Sequence, residues 1–138
     1  MDSEYSRHKS REIAIQTLYQ IDMNEEGLEK NLKMLEDRLE DSDLKATFLK
    51  NIITATYQNL DVIDKKLNEN SEGWSVSRMG KIDRNILRLA VYEILYRDDI
   101  PIGVSIDEAV ELAKTFAAER SSGFINAVLS KVVSTEEE

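Results

Sequence analysis

With 138 residues, 41% of them hydrophobic and 33% charged, the chain is sized for one domain that buries a single core or two small ones. The absence of cysteine excludes a disulfide framework, a thiol nucleophile and a thiolate metal site. No apolar run is long enough to span a membrane and the start MDSEYSRHKSRE lacks the apolar stretch of a secretory signal, so a cytoplasmic protein without membrane contact is expected. The net charge of −9 argues against broad binding of nucleic acid, which is driven by Lys and Arg releasing condensed counterions, but a local basic patch on an acidic body still permits a modest, salt-sensitive contact.

Apolar residues recur at spacings of three and four with little sustained alternation, which predicts an all-α fold of about seven helices in two small packed bundles. Between Ser6 and Met23 the stripe is Ala14, Thr17, Leu18 and Ile21, and Asn24 to Gly27 reads as the turn that ends it. Leu28, Leu32, Leu35 and Leu39 form a second stripe before Asp41-Ser42-Asp43, where Ser42 suits an N-cap. Phe48, Leu49, Ile52, Ile53 and Thr56 make a third. Leu60, Ile63 and Leu67 continue the period, with Asn59 and Asp61 as candidate markers of a break into a fourth helix.

Asn70-Ser71-Glu72-Gly73 is the clearest boundary, since Asn and Gly tolerate the backbone angles that end helices. It divides an N-terminal subdomain of about 1–73 from a C-terminal one of about 74–135, followed by the acidic tail 136–138. Trp74 and Val76 are expected to pin the connecting segment into the core. Leu87, Ala90, Val91, Ile94 and Leu95 mark a long fifth helix, and Pro101 forces an extended passage after it. Ser105 and Glu108 fit a capping box before a sixth helix with Ala109, Leu112, Ala113 and Phe116. Ser121 or Ser122 suits the cap of a seventh, built on Ile125, Val128, Leu129 and Val132.

Catalytic constellations are missing from this pattern. The single histidine, His8, sits among positive charges with no metal-ligand partner at a useful spacing. Gly103-Val104-Ser105-Ile106-Asp107 begins like a nucleophile elbow but lacks the second glycine and a remote histidine. Gly80-Lys81 lacks the rest of a phosphate loop, Asp98-Asp99 fits a solvated loop before a proline, and Glu108 and Glu111 fit an exposed helix face. No enzyme activity, cofactor or metal is expected.

Three groups of residues suit binding instead. Arg7, His8, Lys9 and Arg11 form a basic cluster in which Arg7 and Arg11, one helical turn apart, are placed to hold adjacent phosphates; by composition alone the cluster is a solvated helix start. Phe124, at the start of the last helix, is by itself a core residue packing with Val128. Tyr19 flanks the first apolar stripe and is either a core-edge ring or an interface anchor, while Asp83 and Arg84 fit charge placement at the start of the fifth helix, with Arg84 pairing locally.

Four blocks are more specific together than any one alone: SRHKSREIAIQTLYQIDM, IDRNILRLAVYEILYR, Ile100-Pro101 before VSIDEAVELAK, and SSGFINAVL. They span nearly the whole chain and resemble the NusB family of bacterial transcription antitermination factors. The resemblance implies a basic first helix that binds boxA-type single-stranded RNA of ribosomal operators through Arg7, His8, Lys9 and Arg11. It also implies RNA contact by Phe124 at a helix start where Arg120, Ser121 and Ser122 can reach phosphates or sugars. Ser6 and Ser10 stand where many relatives look more arginine-rich, and Arg120 stands where many have an acidic or small residue.

The same resemblance implies that Tyr19, Asp83 and Arg84 dock the ribosomal protein NusE, a basic partner suited to an acidic helical face, and that RNA polymerase is reached indirectly through the assembly. Some relatives pair into a homodimer that hides the RNA face. Two other classes stay open in the sequence: a helical adaptor with protein partners only, and a detached RNA-binding module of the kind attached to rRNA methyltransferases.

Overall fold

The computed structural model describes the backbone of residues 3–38 and 43–136 and the side chains of residues 7–38 and 47–136. Within these are seven α-helices, one 3-10 turn and no strand: α1 Ser3–Asn24, α2 Leu28–Arg38, α3 Asp43–Gln58, α4 Leu60–Asn70, the 3-10 turn Val76–Arg78, α5 Lys81–Tyr96, α6 Ile102–Phe116 and α7 Ser121–Glu136. The expected cap at Ser42, the apolar contact of Leu39 and the end of the acidic tail lie outside the described residues.

The chain divides into two compact units at Gln58/Asn59. That division falls one helix before the Asn70 to Val76 turn to which the composition points. The reason is packing, because α4 lies on α5 and α7 within the second unit. A one-residue turn at Asn59 separates α3 from α4, and the chain resumes at once with Ile63 N–H donating to the Asn59 carbonyl at 2.9 Å.

In the first unit α1 packs chiefly on α3, and α2 lies on both. The stripe expected in α1 is buried at Ala14, Thr17, Leu18 and Ile21; Leu35 and then Leu49, Ile52 and Ile53 are buried on α2 and α3. Each such aliphatic side chain contributes roughly 1.5–3 kcal/mol. The turn between α1 and α2 needs positive φ at Glu25 (56°) and Gly27 (90°). Asn31 closes it by donating to the Gly27 carbonyl at 2.7 Å.

The second unit is built around α5, which meets α4, α6 and α7 and is buried at Asn85, Ile86, Leu87 and every residue from Leu89 to Glu93. A helix this apolar on most sides belongs in the middle of a bundle. Arg88 clasps α4 to α5, its Nε and Nη2 each donating to a different oxygen of Asp64 at 2.9 Å. Such a bidentate fork fixes geometry as well as charge.

Three local expectations are corrected here. Ser105 is not a cap: α6 starts at Ile102 directly after Pro101, and Ser105, buried one turn inside, donates its hydroxyl to Glu93 Oε1 at 2.8 Å. Proline starts the helix early because its fixed φ suits the flank and the missing N–H is not needed there. Neither serine of α7 caps with its side chain; Ser121 Oγ and Ser122 Oγ donate to Asp83 and to the Glu119 carbonyl. Trp74 is not in the core, being 55% exposed, although Val76 is buried. The connection from α4 to α5 is instead held by its backbone: Val76 N–H donates to Asn68 Oδ1 at 2.8 Å and Trp74 N–H to the Ser71 carbonyl at 3.1 Å.

Candidate nucleic-acid interface

In the first unit the basic residues of α1 have different environments, because a helix turns 100° per residue and only some positions face out. Arg7 is half-buried with its guanidinium carbon 4.6 Å over the centroid of the Phe48 ring, a contact that orients the cation. His8 Nε2 and Lys9 Nζ lie 3.4 and 3.5 Å from the two carboxylate oxygens of Glu12. Exposed pairs of this kind are worth about 0–1 kcal/mol, so Lys9 can exchange Glu12 for another anion at little cost. Arg11 is different. At 3% exposure, beside the equally buried Ser10, it offers no surface to a phosphate, and the neighbouring surface pair that its spacing from Arg7 suggests is not formed. Tyr19 is half-buried on the same helix.

In the second unit the candidate residues gather where α7 begins. Arg120 is exposed immediately before the helix, Ser122 and Phe124 are partly exposed, and Ser121 is buried. Ser121 Oγ reaches back to α5 and donates to Asp83 Oδ2 at 3.1 Å. Asp83 is in the first turn of α5, where a negative charge complements the free amides of the helix start. Arg84 Nη1 donates to the Val76 carbonyl at 3.4 Å and ties the 3-10 turn to α5. Asp83 and Ser121, which sequence reasoning assigns to different ligands, are therefore bonded to each other.

A groove of about 630 Å³ opens here, lined by Trp74, Arg78, Asp83, Arg120, Ser121 and Phe124, together with Met79 and Gly80. Trp74 and Arg78 were not among the expected site residues. Their signal was present: a large ring set among Glu72, Gly73 and Ser75, with a basic residue one turn later, is poor core material. Five other cations of this unit are paired: Lys66 with Glu136, Arg88 with Asp64, Arg97 with Asp99, Lys114 with Glu111 and Lys131 with Glu72. The hydrogen bonds that Arg97 and Lys66 donate to Asp99 and Glu136 hold both cations above their ordinary ranges. No ion pair engages Arg78 or Arg120 among the described residues, so both keep their charge for a ligand. In the same residues no group of three or more His, Asp and Glu gathers as for a metal, and no helix is long and apolar enough to cross a membrane.

The arrangement suits recognition of an anionic, partly aromatic ligand, with exposed cations to meet charge and rings to meet flat surfaces. Residues 8–134 match the model of the NusB family. A transcription antitermination protein NusB from Oceanobacillus iheyensis is 44% identical over 128 residues, covering 93% of this chain and 98% of the relative. Among solved structures, NusB of T. maritima superposes with a TM-score of 0.85 at 33% identity, covering 93% of this chain and 90% of that one. The crystal structure of antitermination factors NusB and NusE in complex with dsRNA holds a similar chain, with a TM-score of 0.84, 26% identity and coverage of 95% and 98%.

Proposed function

Since the chain belongs to the NusB family, we propose that it is a transcription antitermination factor that binds boxA-type single-stranded RNA of ribosomal operators together with the ribosomal protein NusE and helps RNA polymerase resist termination. The observation that supports this most directly is the identity to a transcription antitermination protein along nearly the whole of both chains. The protein works in the cytoplasm by binding, without a chemical step.

Each unit supplies its own RNA contacts. On the first, Lys9, His8 and the guanidinium edge of Arg7 meet phosphates, while Arg11 supports the helix from inside. On the second, Arg120 and Ser122 meet the backbone and Phe124 stacks on a base. Tyr19 on the first unit, and Asp83 with Arg84 on the second, are the contacts assigned to NusE; Asp83 offers it a carboxylate and Tyr19 a partly exposed ring. Holding both ligands raises the effective concentration of each at the other, so RNA is gripped more tightly with NusE than without it.

The test is a titration of labelled boxA-like RNA into the full chain at two salt concentrations, alone and with NusE. Binding that tightens with NusE and weakens with salt is expected. Failure of both the chain and its mixture with NusE to bind at low salt overturns the assignment.

A further inference from the structure

Trp74 is the one tryptophan of the chain, and its ring is more than half exposed although a buried indole would remove a large apolar surface from water. It is not a loose end. Its own N–H donates to the Ser71 carbonyl and, two residues on, Val76 N–H donates to Asn68 Oδ1, so the side chain is displayed from a hydrogen-bonded segment. Trp74 and Phe124 also border a second groove of about 330 Å³ together with Lys131, so the two rings form the shared wall of two adjoining grooves.

We infer that Trp74, Arg78 and Arg120 form an RNA subsite in which the indole stacks on one unpaired base and the two arginines hold its flanking phosphates, beside the contact at Phe124. This rests on the RNA-binding function proposed above. The occupant follows from charge and shape. Within an acidic protein, two arginines without ion pairs among the described residues, both lining one groove, call for an anion, and an exposed indole lining the same groove calls for a flat apolar face. A base with its phosphates supplies both in one unit, whereas an apolar peptide leaves the guanidinium groups without partners.

A single tryptophan makes the test direct. The full chain is titrated in the presence of NusE with a labelled single-stranded boxA-like RNA, reading label anisotropy and the intrinsic emission of Trp74 together. Quenching that saturates with the anisotropy is expected. Trp74→Ala should weaken RNA binding by roughly 5- to 150-fold, the range for loss of a stacked base, with Trp74→Phe retaining most of the affinity. Arg78→Ala with Arg120→Ala should lower the log–log salt slope by about one to two, as expected for two phosphate contacts on a single strand. If Trp74→Ala does not fold, the response of wild-type Trp74 emission to RNA and the arginine pair decide. RNA that binds while Trp74 emission and the Trp74→Ala affinity stay unchanged overturns the subsite and leaves the proposed function standing. Emission that responds to NusE and not to RNA overturns the subsite in favour of a protein occupant. No RNA binding by the wild-type mixture overturns both.

Discussion

Ser121 Oγ donates to Asp83 Oδ2 at 3.1 Å, joining the first residue of α7 to the first turn of α5 across 38 residues of sequence. The residue expected to meet NusE thus positions the helix start expected to meet RNA. Ser121→Ala removes this bond alone and should cost about 1 kcal/mol, with a shift of a few degrees in Tm. Asp83→Asn keeps an acceptor but removes a negative charge from the groove, so RNA affinity should rise most at low salt. Denaturant melts and RNA titrations on both variants check this; a Ser121→Ala protein as stable as wild type would mean that the contact carries no weight.

Arg7 is half-buried and Lys9 exposed, whereas Arg11 is buried. Arg7→Ala with Lys9→Ala should flatten the salt dependence of RNA binding by about one to two units of log–log slope while leaving stability nearly unchanged. Arg11→Ala should behave in the opposite way, losing roughly 1–3 kcal/mol of stability with the slope intact. A reduced slope in Arg11→Ala at wild-type stability would place Arg11 back among the phosphate contacts.

Phe124 is partly exposed, whereas Ile125, Val128, Leu129 and Val132 on the same helix are buried. Phe124→Ala should therefore weaken RNA binding by roughly 1–3 kcal/mol, the scale of a lost stacking platform. Its thermal stability should fall by less than the roughly 3–5 kcal/mol typical of a core phenylalanine. Calorimetry beside the RNA titration separates the two effects, and a core-sized loss of stability with normal RNA binding by the folded fraction would remove Phe124 from the site.

Ser105 serves Glu93, not the end of α6. Ser105→Ala should cost roughly 1–3 kcal/mol because the buried carboxylate loses a donor. Combined with Glu93→Gln, the losses should be clearly non-additive, as expected for two residues in contact. Additive costs in that double-mutant cycle would instead point to independent roles.

The local parts of this fold were legible because they depend on neighbours three or four residues away. The spacing of Ala14, Leu18 and Ile21, or of Leu87, Ala90 and Val91, marks a helical face whatever lies opposite. Gly27, Gly73 and Pro101 likewise announce their turns through their own backbone limits, and the first two do sit at positive φ. The four blocks that resemble NusB carried the family with them, and the match over residues 8–134 bears that out.

What tertiary structure decided is which faces meet. Arg11 and Lys9 are both basic residues of α1, and only the packing of the helix makes one a buried support and the other a surface charge. A serine three residues before a glutamate reads as a capping box until Glu93, twelve residues upstream of Ser105, takes its hydroxyl. Trp74 reads as an anchor until hydrogen bonds from its own N–H and that of Val76 hold the segment and leave the ring outside. The union of Asp83 with Ser121 and the alliance of α4 with α5 and α7 arise in the same way. Each depends on contacts between distant segments, whose partners are chosen by burying apolar area across the whole unit and by satisfying the polar groups trapped in the process, and no short-range pattern encodes that choice.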